Sequence, residues 1–97
     1  MGPKITLESK TRPRILILED EAITADHLRR ILGRLGYEVV GMAATGMGGL
    51  ELIESSNPDL LLADIGLQGE MDGIQVASRA REIWAIPTVF LTAYSDP

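Results

Sequence analysis

The stretch LLLADIGLQGEMDG, residues 60–73, decides how this chain folds. It begins with an apolar run that ends at Asp64, and a loop with three glycines and two further acids follows. A short apolar run bounded in this way is typical of a strand that is buried on both faces of a parallel sheet. Because a buried charge is costly unless something compensates it, Asp64 is either a solvated loop residue or part of a site.

Strands and helices alternate along the rest of the chain. We predict strands at residues 14–19, 37–43, 59–65 and 87–93. The helices between them begin at Glu21, after Thr45 and at Asp72. Apolar stripes at helical spacing are expected in the first helix (Leu28, Ile31, Leu32, Leu35) and in the third (Ile74, Ala77, Ala80, Ile83 or Trp84). Such alternation predicts an open α/β sheet of parallel strands with helices on both faces.

Composition narrows the possible functions. The chain has 97 residues, enough for one domain, with 45% hydrophobic and 24% charged residues and no apolar run of bilayer length. A net charge of −5 argues against a nucleic-acid surface, and the absence of cysteine excludes thiol chemistry and Cys-ligated zinc. The polar start of the chain lacks the apolar core of a signal peptide, so we expect a cytoplasmic protein.

Acidic residues close two strands that are expected to be neighbours. Glu19 and Asp20 end the first strand, and Asp64 ends the third. In a sheet of order 2-1-3-4 these ends lie about 5 Å apart, so the three carboxylates should converge. Clustered carboxylates raise one another's pKa unless a cation compensates them, and a few hard oxygen ligands suit Mg²⁺. A metal beside Asp64 makes this residue a candidate nucleophile toward a phosphoryl group.

Three segments together resemble a known family. RILILEDE (14–21), LLLADIGLQGEMDGI (60–74) and PTVFLTAYSDP (87–97) are similar to the acidic pair, the phosphoacceptor strand and the hydroxyl-bearing strand of receiver domains from two-component response regulators. The resemblance covers residues 14–97 and leaves residues 1–13 as a polar N-terminal tail. It implies the flavodoxin-like (CheY-like) doubly wound parallel sheet, with strand order 2-1-3-4.

The resemblance also implies a role for each matching residue. Asp64 would accept a phosphoryl group from a sensor histidine kinase or a small phosphodonor. Mg²⁺ would be bound by Asp20 directly, by Glu19 through water, by Asp64, and by the backbone carbonyl of Gly66. The module would be a phosphoacceptor that switches protein interactions, with weak self-phosphorylation and autodephosphorylation at most, and not an enzyme.

The last strand carries two further expected site residues. The hydroxyl of Thr92 would contact a phosphoryl oxygen, and the small Ala93 would leave space for the phosphodonor. The sequence departs from the family in two ways: Met-Pro is absent after the phosphoacceptor, within a loop that is one residue longer, and the chain stops at Pro97. The family continues with a fourth helix, a fifth strand that bears a lysine, and a fifth helix, so we expect a C-terminally truncated receiver domain.

Two consequences and two alternatives follow. Without the lysine, phosphorylation should be slow or absent, because one donor to developing charge is worth about 3–4 kcal/mol in comparable sites. The fourth strand should expose an apolar edge. A second copy of the chain could pair as a homodimer through this edge or through KITLES (4–9).

The alternative functions are a non-phosphorylated pseudo-receiver that dimerises, and a Mg²⁺-dependent phosphatase with Asp64 as nucleophile. Gly66 disfavours the phosphatase, since a second carboxylate is expected at its position.

Overall fold

A computed structural model describes residues 12–67 and 69–91 of the chain. Within these residues four strands alternate with three helices, as the sequence pattern predicts. The strands are β1 (Arg14–Leu18), β2 (Glu38–Ala43), β3 (Leu60–Asp64) and β4 (Thr88–Leu91). The helices are α1 (Ala22–Arg34), α2 (Gly46–Ser56) and α3 (Gly73–Arg79), and α3 continues into a π-helical turn (Ala80–Trp84).

The strands form one parallel sheet in the order β2-β1-β3-β4. This confirms the predicted order and the doubly wound fold class. Leu18 near the end of β1 pairs with Ala43 on one side and with Ala63 on the other. The residues that follow β1 therefore lie beside the end of β3, which brings the acidic residues to one edge of the sheet.

The core lies mainly between the sheet and the pair α2 and α3. The central strand β1 is buried on both faces, from Ile15 to Leu18, because helices cover both faces of a doubly wound sheet. Leu16, Ile53 and Val76 are almost completely buried there. Burial of each such side chain contributes roughly 1.5–3 kcal/mol, so this layer supplies much of the stability of the fold.

The buried stripe of α3 differs from the predicted one. Ile74 is 53% exposed, whereas Val76 and Ala80 are completely buried. The cause is the start of the helix, where Gly73 is buried against the end of β3. With Gly73 turned inward, residues three and seven positions later also face the sheet, and Ile74 turns outward.

Two further side chains of the predicted stripes lie at helix ends and are exposed. Leu35 follows the last residue of α1 and is 67% exposed. Ile83 in the π-helical turn is 60% exposed, and its neighbour Trp84 packs against the core in its place. A π-helical turn contains more residues than an α-helical one, so the stripe shifts by one position.

The face of the sheet that carries α1 is only partly covered by the described residues. A groove of about 420 Å³ runs between α1 and β4, with Ile15, Leu32, Leu62 and Val89 in its lining. Val89 is 49% exposed and Phe90, on the opposite face of β4, is 38% exposed. In the part of the chain that the structure covers, no helix has the length and apolar character needed to span a membrane.

Candidate functional site

Three carboxylates meet where β1 and β3 end. Glu19, Asp20 and Asp64 each offer one carboxylate oxygen, and these oxygens all lie within 4.8 Å of one another. All three residues are half-buried. The pairing of Leu18 with Ala63 places them there, so the meeting follows from strand order, as the sequence pattern predicts.

No basic side chain compensates these charges among residues 12–67 and 69–91. The ion pairs found in that part of the chain join Asp26 on α1 to Arg29 and Arg30, away from the cluster. Three carboxylate oxygens at this spacing form a donor set that suits a hard divalent cation with several water ligands, which is the preference of Mg²⁺. The residues present therefore fit the ion that the resemblance implies.

The surroundings of Glu19 disfavour the negative charge of its carboxyl group. Burial raises the pKa of its carboxyl group above the usual value, and the neighbouring charges of Asp64 and Asp20 raise it further. The backbone N–H of Glu21 donates to Glu19 Oε2 at 3.1 Å and opposes this rise. The backbone N–H of Glu19 donates to the carbonyl of Ala43 at 2.9 Å. Glu19 is thus fixed by β2 and by Glu21, the residue before α1, and its negative charge is disfavoured.

Asp64 is oriented by the loop that follows it. Its Oδ1 accepts a hydrogen bond from the backbone N–H of Gly66 at 3.1 Å. In the described residues its Oδ2 has no hydrogen-bond partner. Asp64 also pairs with Leu91, the last residue of β4. Thr92 and Ala93 follow Leu91 in the sequence but lie outside the described residues, so their roles stay predictions.

The loop between β3 and α3 is held by two glycines that sequence reasoning did not assign to the site. A Cβ on Gly73 would overlap the backbone carbonyl oxygen of Asp64. A Cβ on Gly46, the first residue of α2, would lie 2.7 Å from the backbone carbonyl oxygen of Met71. Glycine is the first residue of both helices, where helix propensity alone would favour another residue, but this pattern does not indicate which backbone each glycine contacts.

The comparisons with known proteins agree with this fold. Residues 15–97 match the response regulator receiver domain family. The transcriptional regulatory protein PdtaR of Mycobacterium tuberculosis is 38% identical over 95 residues, which cover 98% of this chain and 46% of PdtaR. The chain thus spans less than half the length of that relative.

Solved structures give the same result. The signal receiver domain of a modulated diguanylate cyclase from Desulfovibrio desulfuricans G20 is 36% identical, with a TM-score of 0.82, over 87% of this chain and 67% of that one. The response regulator PhyR of Brucella abortus is 35% identical, with a TM-score of 0.80, over 88% of this chain and 35% of PhyR. On the strength of its motifs, its sheet order and these matches, the chain belongs to the response regulator receiver domain family.

Proposed function

We propose that this chain is a phosphoacceptor module in which Asp64 takes a phosphoryl group from a sensor histidine kinase or a small phosphodonor. The observation that carries the proposal is the meeting of Glu19, Asp20 and Asp64 within 4.8 Å at the carboxyl edge of the sheet. A structural role for Asp64 would not require two further acids beside it, because like charges at this spacing destabilise the fold.

The chemistry would be the transfer of a phosphoryl group to a carboxylate. One oxygen of Asp64 forms a bond to phosphorus while the bond from phosphorus to the donor breaks, and the donor leaves with its bonding electrons, as acetate does from acetyl phosphate. The hydrogen bond from Gly66 N–H to Oδ1 holds the carboxylate and leaves Oδ2 free to attack. Mg²⁺, when bound, would reduce the repulsion between this carboxylate and the phosphoryl oxygens.

The ligand set and the contacts of the phosphoryl group are part of the same proposal. Glu19, Asp20, Asp64 and the carbonyl of Gly66 would hold Mg²⁺, the hydroxyl of Thr92 would contact the phosphoryl group, and Ala93 would admit the donor. A cytoplasmic location, where kinases and small phosphodonors meet this domain, belongs to the proposal as well.

The consequence of phosphorylation would be a change in the protein that this chain binds. One neighbour of known structure, PhyR of Bartonella quintana, is described as an anti-anti-sigma factor, which names a protein that acts on other proteins. Receiver modules are signalling domains, and we propose that this chain exchanges a protein partner when it is phosphorylated.

Intact mass after incubation with acetyl phosphate and Mg²⁺ tests the proposal. We expect a mass gain of one phosphoryl group that accumulates slowly over the incubation, and none in Asp64→Asn. Asp72→Asn is the matched control, since Asp72 lies at the end of the loop that follows Asp64 and asparagine caps a helix as well as aspartate. Continuous phosphate release without a stable adduct would instead indicate a phosphatase. No mass change in the wild-type protein, despite bound Mg²⁺, would contradict phosphoacceptor function.

The exposure of β4 favours a second role, association with another copy of the chain. Val89 and Phe90 present apolar surface on both faces of this strand. A pseudo-receiver that dimerises without phosphorylation would use the same surface. Sedimentation with and without acetyl phosphate separates the two roles, because only a switched module changes its association on phosphorylation.

A further inference from the structure

Gly73, the first residue of α3, touches the backbone of the proposed phosphoacceptor. It is buried, and a Cβ at this position would overlap the carbonyl oxygen of Asp64 and lie 3.2 Å from the Cα of Ile65. Its backbone N–H donates to the carbonyl of Ile65 at 3.2 Å. The start of α3 therefore rests directly on the residues where β3 passes into the loop.

The partners in this contact are backbone atoms, and that decides what a side chain at position 73 would do. A clash with the tip of a flexible side chain is relieved by rotation, but a clash with the Asp64 carbonyl requires α3 or the end of β3 to move. The loop residue Gly66, whose N–H orients the Asp64 carboxylate, is the second residue after Asp64. Movement of this backbone would thus change the position of the carboxylate and of the Gly66 carbonyl together.

We infer that Gly73 is a positioning residue for divalent-cation binding, because its missing side chain lets α3 fix the backbone that carries Asp64 and Gly66. The inference rests on the proposed function, since it takes Mg²⁺ as the ligand of this edge. Helix propensity alone would favour alanine over glycine here, so a harmful effect of alanine has to come from the contact with β3.

Two other glycines provide matched controls. A Cβ on Gly41 in β2 would also be crowded, at 3.1 Å from Leu16 Cδ1 and 3.3 Å from Leu52 Cδ1, but these atoms are side-chain tips. A Cβ on Gly33 in α1 would meet nothing within 4 Å. Gly41→Ala therefore strains the core without moving the acidic edge, and Gly33→Ala strains neither.

The test is calorimetric titration of Mg²⁺ into the wild-type chain and into Gly73→Ala, Gly41→Ala and Gly33→Ala, with the melting temperature of each. Residues that orient metal ligands typically change affinity 10- to 100-fold, so we expect Gly73→Ala to bind Mg²⁺ at least about tenfold more weakly. The two controls should stay within about twofold of wild type, whatever their melting temperatures. A Gly73→Ala protein that binds Mg²⁺ like the wild type overturns the inference.

A measurement on the wild-type chain covers the case in which Gly73→Ala does not fold. Mg²⁺ should slow hydrogen exchange of the Gly73 amide by a larger factor than that of Asn57. The Asn57 amide donates to Ile53 at 2.9 Å, at the opposite edge of the sheet. Equal slowing at both amides overturns the inference and leaves the proposed function standing. A wild-type chain that does not bind Mg²⁺ overturns both.

Discussion

Among single residues, Glu19 should make the stability of the fold depend on pH. Its pKa is raised mainly by burial, and then by the charges of Asp64 and Asp20. A carboxyl group whose pKa is higher in the folded than in the unfolded protein destabilises the fold when it is ionised. This cost is fully present above the folded pKa, and it is relieved as pH falls through the folded pKa toward the unfolded value of about 4.3.

We therefore predict that Glu19→Gln raises the free energy of unfolding at neutral pH in the absence of Mg²⁺. Glutamine has the same shape and can still accept the N–H of Glu21, so the substitution removes only the charge. The gain should shrink as pH is lowered toward 4.5, as measured by urea denaturation with a chelator present. With Mg²⁺ the order should reverse, because the variant should bind the ion about tenfold or more weakly.

Glu54→Gln, on the exposed side of α2, is the control for this experiment. It should change stability by less than about 0.5 kcal/mol at any of these pH values, with or without the ion. A Glu19→Gln protein that is less stable than wild type without Mg²⁺ would show that the carboxylate charge supports the fold instead of opposing it.

Some residues of the site could be predicted from the sequence, and others could not. Carboxylates that follow apolar runs can be recognised, and the parallel sheet then determines that Glu19, Asp20 and Asp64 share an edge. The contact of Gly73 with Asp64 could not be predicted in this way. It depends on the distance between two backbones, which no local pattern of residue types encodes.

Among the elements, α2 is tied to β1 at the amino edge of the sheet. The guanidinium of Arg14 donates from Nη1 to the carbonyl oxygens of Ser56 at 2.6 Å and Asn57 at 3.1 Å. These carbonyls belong to the C-terminal end of α2, where a positive charge also complements the helix dipole. The backbone N–H of Arg14 donates to Asp59 Oδ2 at 2.8 Å, so one residue links the strand, the helix end and the next loop.

Arg14→Met should lower the free energy of unfolding by about 1–2 kcal/mol, because two charge-assisted hydrogen bonds are lost while most of the apolar stem remains. Arg14→Lys should lose less, since it keeps the charge at the helix end. Mg²⁺ affinity should stay within about twofold of wild type in both, because the contacts lie at the edge opposite the acids. Arg79→Met, at an exposed position of α3, is the control, and an equal loss there would contradict the role of Arg14.

Helix and strand boundaries show where element-scale prediction succeeds and where it fails. Apolar runs and turn residues predicted each strand and each α-helix, and Thr45 caps α2 through its side chain, as its position before that helix indicates. The predicted buried stripe of α3 was wrong at Ile74, because Gly73 faces β3 and this determines which later residues of the helix are buried. The π-helical turn after α3 has no signature in the pattern of apolar residues, since one extra residue per turn still resembles an amphipathic helix.

For the molecule as a whole, the order β2-β1-β3-β4 could be predicted because strands joined by right-handed helical crossovers have few possible arrangements. The coverage of the sheet could be anticipated only in part. The groove beside Leu32 and Val89 arises because α1 covers the β1 side of its face, and the described residues leave the β4 side open. Surface of this kind on a strand at the edge of a sheet favours association with another chain.

We predict that the chain forms dimers at micromolar concentration and that Val89→Lys makes it monomeric. Val89 pairs with Leu62 in the sheet and is 49% exposed beside the groove. In a two-fold symmetric dimer each substitution occurs twice, so the lysines would place two like charges in an apolar contact. Ile23→Lys is the control, because Ile23 on α1 is 81% exposed and does not line the groove. Sedimentation velocity should show a dimer for wild type and Ile23→Lys. A monodisperse wild-type monomer would mean that the exposed apolar surface of β4 does not join two copies of this chain.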